Sequence, residues 1–363
     1  MPSVRRFAAL IVSFLAISLP VLAQPLTPDA PPAAPALPVG AAAVQAAAPQ
    51  VRLGLTVNPQ DPQASLDFYN QQYRPTEELA SGWSGDPAHC NASSTSSAFR
   101  DAILRRINYF RAMAGVPADV TFSDEYNQKA QAAALMMSAN KQLNHTPPTN
   151  WNCYSQDGAK AAGSSNLFLG VFSVKAIDGY MEDPGDGNYF LGHRRWLLHP
   201  QTQVMGTGDI PATSGYPPAN ALWVFDDHIF DPTPATRDGF VAWPPPGFVP
   251  NAVIYPRWSF SYPNADFSQT QIVMTANGQD IPLKLETIKD GFGQNTVVWT
   301  PSATILASNQ QTAAANAGYT IKLSHVLVDG QAREFAYTTT IFDPALPLPT
   351  LPRLKLFIPL VKR

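Results

Sequence analysis

The chain has 363 residues, more than one typical domain, so about two domains are expected. Hydrophobic residues make up 45% and charged residues 14%, a balance that fits globular domains with packed cores. A formal net charge of −3 provides no basic surface, so nucleic acid is not expected as a partner.

Residues 1–23 read as a secretory signal, with Arg5 and Arg6 as the charged region, Phe7 to Val21 as the apolar region and Val21-Leu22-Ala23 as the cleavage site. The apolar run is short for a bilayer span and Pro20 breaks it. Cleavage after Ala23 is expected, an uncleaved anchor being the alternative, and no transmembrane helix is expected in the mature chain. Losing Arg5 and Arg6 takes the net charge to −5. Arg5-Arg6 does not complete a twin-arginine pattern, so the export route stays open. An exported chain meets oxidising conditions, and the expected use of the two cysteines, Cys90 and Cys153, is one disulfide. Two free thiols or an intermolecular bridge are the alternatives.

The 36 prolines are about twice the usual share of ~5%, and much of the excess lies in Pro25–Pro49 and Pro344–Pro359. From Gln24 to about Val51, Pro-Ala repeats read as a stiff linker with nothing to bury, holding the folded part away from a surface. Linker and lead-in together take residues 24–64. Ser65 to Ser97 reads as an irregular segment packed on the first helix.

Phe99, Ile103, Ile107, Phe110 and Ala114 fall at helical spacing over Ser97–Ala114, with Ser96 or Ser97 as cap and Gly115 then Pro117 as stop. A second helix is expected from Asp124 to about Lys141 after the Ser123 cap. A loop follows from Thr146 to Ser165. A short helix, Val174 to Met181, stops at Asp183-Pro184-Gly185, and Asn188 caps a brief helix through Gly192–Leu198. Val204–Gly208 and Ala221–Phe225 read as strands.

From about Phe230 helical periodicity disappears. Strands are expected at Ala252–Tyr255, Gln271–Thr275, Leu283–Thr287, Thr296–Trp299, Thr320–Val328 and Glu334–Phe342, with hairpin turns at Asn277-Gly278 and Asp329-Gly330. Strands this dense suggest an immunoglobulin- or fibronectin-like β-sandwich. The end, residues 345–363, is a Pro-rich spacer and a short apolar-basic tail. It reads as a sorting or surface-retention signal, as a disordered tail, or as a last strand on the sandwich edge.

No H-E-x-x-H, G-x-S-x-G, P-loop or G-x-G-x-x-G motif occurs. What remains is a constellation: Ile107-Asn108-Tyr109-Phe110-Arg111-Ala112-Met113-Ala114-Gly115, Leu143-Asn144-His145, Ser165-Asn166-Leu167, Ala176-Ile177-Asp178-Gly179-Tyr180-Met181 and Gly192-His193-Arg194. In order and spacing, over roughly Ser96 to Phe225, this resembles the CAP superfamily of cysteine-rich secretory, antigen 5 and pathogenesis-related 1 proteins. The resemblance implies an α–β–α sandwich over residues 65–228; with the Ig-like β-sandwich read from the strand pattern at 229–344, the expected fold class of the chain is α+β. It also implies a cleft where two histidines and two acids form a tetrad that often holds a divalent metal.

By that resemblance His145 and His193 are the histidines, and Ser164-Ser165-Asn166 stands where the family has Gly-Glu-Asn, which puts Ser165 in place of the first glutamate. The second acid falls at Asp183, with Glu182 beside it. The implied cleft is His145, Ser165, Asn166, Asp183, His193 and Arg194. His145 and His193 are the metal ligands if Zn²⁺ or another divalent ion is held. Glu182 or Asp183 would serve as base or ligand if the protein were a metal-dependent hydrolase.

Plainer roles stand beside these. His145 can cap the second helix, His193 can be a packed residue, and His199 reads as structural. Asn108, Arg111 and Asn166 read as structural hydrogen-bonders, and Trp196 and Leu197 as core. The missing acid at Ser165 weakens the hydrolase. The expected function is a secreted or cell-surface protein, more a binder than an enzyme, taking a lipid, a protein or cell-wall material in its cleft.

Overall fold

The computed structural model describes residues 28, 30–35, 54–77, 79–302 and 317–349. The expected signal peptide, and the tail from residue 350 onward, lie outside the described residues.

Helix α1, Pro62–Phe68, starts at Asp61, whose carboxylate accepts from the backbone N–H groups of Gln63 and Ala64, and runs on through π and 3-10 turns to Thr76. The lead-in expected to be irregular is therefore helical for its first part: Ser65, Phe68, Tyr69 and Tyr73 are buried one turn apart, and Tyr73 and Tyr109 pack edge to face. Helix α2, Ser97–Ala114, is capped by Ser96 Oγ, which accepts from Phe99 N–H, and is ended by Gly115 at φ 76°. Strand β1, Thr121–Phe122, precedes α3, Asp124–Asn140, which begins at the Ser123 cap and ends with Lys141 left-handed. Helix α4, Gln156–Gly163, falls where a loop was expected. Two glycines and a short length hide its periodicity, yet Ser155 Oγ caps it and Ala161 and Ala162 are fully buried.

Strand β2 is Ser165–Leu169, α5 Val174–Glu182, α6 Gly192–Leu197, β3 Val204–Ile210 and β4 Ala219–Trp223. Asn188 does not cap α6; its first turn follows Leu191 at φ 56°, and Asn188 is spent elsewhere. The sheet runs β1-β3-β4-β2. Its residues alternate between two cores. Phe168, Met205 and Leu222 pack toward α2 and α5. Leu167, Ile210, Ala221 and Trp223 pack toward the alanines of α3 and α4. Three layers, helix on sheet on helix, follow directly. Gly208 allows the closest approach, because a Cβ there would overlap the backbone of Ala130 in α3.

The second half is all β. Its strands are β5 Val241–Trp243, β6 Gly247–Pro250, β7 Trp258–Ser261, β8 Ala265–Asp266, β9 Gln271–Ala276, β10 Gln279–Asp280, β11 Leu283–Leu285, β12 Thr296–Pro301, β13 Ala317–Val328 and β14 Gln331–Phe342. One sheet runs β10-β9-β13-β14-β6, with β8 pairing β13, and the other runs β11-β12-β7-β5. Most pairs are antiparallel; β14 and β6 are parallel. Trp258, Trp299 and Phe260 of one sheet meet Met274, Tyr319, Ile321, Leu323, Tyr337 and Ile341 of the other in a single core. Both expected hairpin turns form, with positive φ at Asn277 and Gly278 and at Asp329 and Gly330. Ala252–Tyr255, expected as a strand, is none: Ala252 and Val253 lie within a 3-10 turn, Asn251–Val253, and Ile254 is extended after it.

The first core does not stop at the expected boundary near residue 228. Val241, Trp243, Val249, Val253 and Tyr255 belong to it, and the Phe110 and Trp243 rings stand 5.3 Å apart. Ser65 Oγ donates to the carbonyl of Phe248 and Pro59 accepts from the N–H of Phe248, tying α1 to β6.

Candidate functional site

The turn from α5 into α6 places the second histidine. Asp183 closes α5 in the left-handed conformation, and its carboxylate is fully buried. One oxygen accepts from His193 Nδ1 at 2.7 Å and the other from the His193 backbone N–H at 2.9 Å. The imidazole stacks on Tyr180, ring centroids 5.5 Å apart. Tyr180 donates to the carbonyl of Asn166 and to Asn220 Oδ1, and Asn166 Nδ2 donates to the carbonyl of His193. His193, Asp183, Asn166 and Tyr180 thus form one rigid unit. At its edge His193 Nε2, Ser165 Oγ and Asn166 Oδ1 are buried with no hydrogen-bond partner among the described residues.

His145 comes from the loop after α3 and is only half-buried. Its Nδ1 lies 2.6 Å from the carbonyl oxygen of Ala162, at the end of α4, and its Nε2 lies 2.6 Å from the carbonyl oxygen of Ala30. The helix-capping role considered for it is met in another form, on α4 rather than α3.

The partner at Ala30 departs from the expectation for the linker. Pro28, Pro31 and Pro32 are buried, although this stretch was read as having nothing to bury. Asn188 Nδ2 donates to the carbonyl of Pro28 and Trp196 Nε1 to that of Pro32. Pro28, Pro31 and Pro32 turn apolar rings to the protein, and the carbonyls of Pro28, Ala30 and Pro32 meet the donors. Trp196, read as core, is buried at 1% exposure and also supplies an N–H.

Arg194 does not face the histidines. Its Nε donates to the carbonyl of Met181, and one Nη to the carbonyl of Arg257 and to Ser259 Oγ in the β half. Burial pushes its guanidinium down to about 10, against the pull of Asp183 and Tyr255. Arg195 likewise donates to the carbonyls of Lys289 and Gln294. The pair joins the two halves. Glu182 sits beside Arg194 and Arg257; burial raises its carboxyl and the two cations oppose that rise.

These donors do not fit a zinc site in this arrangement. Both oxygens of Asp183 are engaged by His193, and both ring nitrogens of His145 face carbonyls. Among the described residues no group of three or more His, Cys, Asp and Glu side chains could hold a metal ion. His193 Nε2, oriented through Nδ1 by a carboxylate, is the one nitrogen of the pair posed as a ligand.

The remaining candidates are structural. Arg111 is fully buried and donates to the carbonyls of Pro117, Leu197, His199 and Thr202, so it holds the segment that leaves α6. Asn108 exchanges two hydrogen bonds with the backbone of Val120. His199 donates from Nε2 to the carbonyl of Ile229, and burial pushes its pKa down to about 4. Cys90 and Cys153 form a disulfide, Cα atoms 5.1 Å apart.

Residues 104–226 match the sequence model of the family described as CAP: Cysteine-rich secretory protein family. This part of the chain is a CAP domain. The match takes in His145, Ser165, Asn166, Asp183 and His193, and the three-layer packing around them is the architecture expected of a CAP domain. No curated protein matches the chain. Among solved structures, the selenomethionine form of PcoC, a copper resistance protein from Escherichia coli, is 13% identical. That match covers 28% of this chain and 94% of PcoC at a TM-score of 0.21, too slight to carry an argument. Among the described residues no helix is long and apolar enough to cross a membrane.

The CAP-domain resemblance points to both histidines but leaves the segment at Pro28–Pro35 unnoticed. The one available signal was its spacing: Pro28 and Pro31, then Pro32 and Pro35, are two P-x-x-P steps.

Proposed function

We propose that this is an exported, secreted or cell-surface CAP-domain protein that binds a ligand at the His145–His193 cleft and does not turn it over. One observation carries the reading: the buried carboxylate of Asp183 gives both oxygens to His193. Asp183 itself is thus not free to take a proton from water or substrate, because it is committed to holding a ring in place. The position of the other acid is the neutral Ser165. The signal-like residues 1–23 and the Cys90–Cys153 disulfide support export to an oxidising compartment. Candidate ligands are a lipid, a protein segment or cell-wall material.

A second reading, a metal-dependent hydrolase, has one observation in its favour. His193 Nε2 is unpartnered while Nδ1 is held by a carboxylate, the orientation metal-bound histidines adopt. Glu182 would then be the acid left for a base.

The test uses the full mature chain and its His145→Ala and His193→Ala variants. Binding of vesicles, peptides and solubilised cell-wall polymer is measured alongside metal content and product release from peptide and peptidoglycan substrates. The binding reading expects one ligand class to be held, weakened by His145→Ala, with no product. Metal-dependent product release that disappears in His193→Ala overturns it in favour of the hydrolase.

A further inference from the structure

Three side-chain donors meet the carbonyls of alternate residues in one short segment. Asn188 Nδ2 donates to Pro28 at 3.3 Å, His145 Nε2 to Ala30 at 2.6 Å and Trp196 Nε1 to Pro32 at 2.8 Å. Alternate carbonyls on one side are what an extended backbone offers. The side chains follow a different pattern: Pro28, Pro31 and Pro32 are buried, while Ala30, Ala33, Ala34 and Pro35 are exposed. Pro28 and Pro31 are three apart, one turn of a polyproline helix.

The groove beneath is built for such a chain. A Cβ at Gly192 would overlap the Pro31 ring, so the first residue of α6 leaves the space in which that proline sits. Phe190, Trp196 and Phe292 supply aromatic surface, with the Phe190 and Phe292 rings 4.6 Å apart. Proline has no N–H, so a Pro-rich backbone brings acceptors and few donors, and this groove answers with donors. Beyond Pro32, the N–H of Ala34 donates to the carbonyl of Gly291. That loop is held by Arg195, which donates to Lys289 and Gln294 on either side of it. The groove therefore draws one wall from each half of the molecule. An aromatic floor with side-chain N–H donors aimed at carbonyls is the general means by which proteins hold P-x-x-P segments.

We propose that this groove is a recognition site for extended Pro-rich peptides, and that Pro28–Pro35 is a tethered occupant competing with a peptide that arrives from outside. The proposal rests on the binding reading above and names its ligand class. Residues 36–53 are the tether. At an effective concentration of order 1 mM, a strap whose own Kd for the groove is about 100 µM would weaken binding of an outside peptide about tenfold. A ligand must first displace the strap.

The probe is a labelled synthetic peptide of residues 27–35, titrated by fluorescence anisotropy against the full mature chain. A second chain carries Pro31→Glu and Pro32→Glu, which weakens the strap and leaves the groove intact. Others add His145→Ala or Trp196→Phe to that pair. A control peptide has Ala at the three positions of Pro28, Pro31 and Pro32. Acrylamide quenching of tryptophan fluorescence, absent the Trp196 signal in the Trp196→Phe chain, reports whether the strap has left.

The expected result is quenching that rises in the strap variant, peptide binding at least about tenfold tighter than in the unaltered chain, and loss of at least about fivefold when either donor is removed. Unchanged quenching shows that no strap was docked. No binding by the strap variant, or equal binding of the control peptide, shows that the groove does not read Pro-rich chain. Either result overturns the proposal. If lipid vesicles or cell-wall polymer still bind in a His145-dependent way, only the ligand class has failed. If they do not, the binding reading has failed with it.

Discussion

Asp183 accepts hydrogen bonds from two atoms of the same residue, His193, one on the ring and one on the backbone. A single carboxylate thus fixes the start of α6 and the plane of its imidazole together. Replacing it with Asn keeps the shape but turns an N–H₂ group toward one of the two donors. Asp183→Asn is expected to lower stability by about 1–3 kcal/mol, read as a lower denaturant midpoint at unchanged slope. A variant as stable as the parent would mean that His193 is held by packing alone.

Arg111 supplies the same service on the far side of α6. Arg111→Met preserves much of the volume and abandons the carbonyls of Pro117, Leu197, His199 and Thr202 in a dry interior. A loss of about 3–5 kcal/mol is expected in urea unfolding. Arg111→Lys, with one compact ammonium in place of the forked head, should recover only a minor part of it.

His199 gives stability a pH dependence. Burial is the main cause of its lowered pKa, about 4 in the folded protein against 6.5 unfolded, with the nearby Arg111 and Arg195 pushing the same way and the bond to Ile229 opposing. The unfolded chain therefore takes up the proton first as pH falls. Stability from this group is full above about pH 6.5 and is lost on the way down to about pH 4, by something of order 3 kcal/mol. The carboxyls of Asp178, Asp209 and Glu182 are raised by burial and carry the opposite sign. The difference between parent and His199→Gln melts isolates the histidine, and it should narrow as pH falls through this range. A constant difference would show that the ring does not titrate on unfolding.

The Cys90–Cys153 bridge closes a loop spanning 63 positions. By chain entropy, reduction should cost about 4 kcal/mol of stability. Calorimetry with and without reductant measures it. Far-ultraviolet dichroism of the reduced protein below its transition should stay unchanged, since the bridge lies on the α3–α4 side, away from α5 and α6.

Much of the fold was legible because its signals are local. Helix α2 has apolar residues at helical spacing between a serine cap and Gly115, and the structure places it over the expected residues. The two Asx-Gly turns announced their hairpins through the positive φ that only such residues adopt readily. What stayed hidden depends on partners distant in sequence. Helix α4 is short, carries two glycines and is stabilised by alanines pressed on α3, so nothing periodic marks it. Strands β5 and β6 are three and four residues long and owe their burial to α1 and α2.

The site divides in the same way. His145, Ser165, Asn166, Asp183 and His193 are named in the sequence by spacing that resembles the CAP family. Arg194 was placed with them because it follows His193, but a neighbour on a helix points about 100° away, and here that direction leads to the β half. The proline segment was misread because composition describes what a chain can bury alone, not what another surface can bury for it.

The Phe110–Trp243 ring contact belongs to a core shared between the CAP helices and the β strands. Halves that fill each other's interior cannot be traded like beads. A recombination that replaced the β half would uncover the face of Phe110 that Trp243 covers, so each half constrains which substitutions the other can accept.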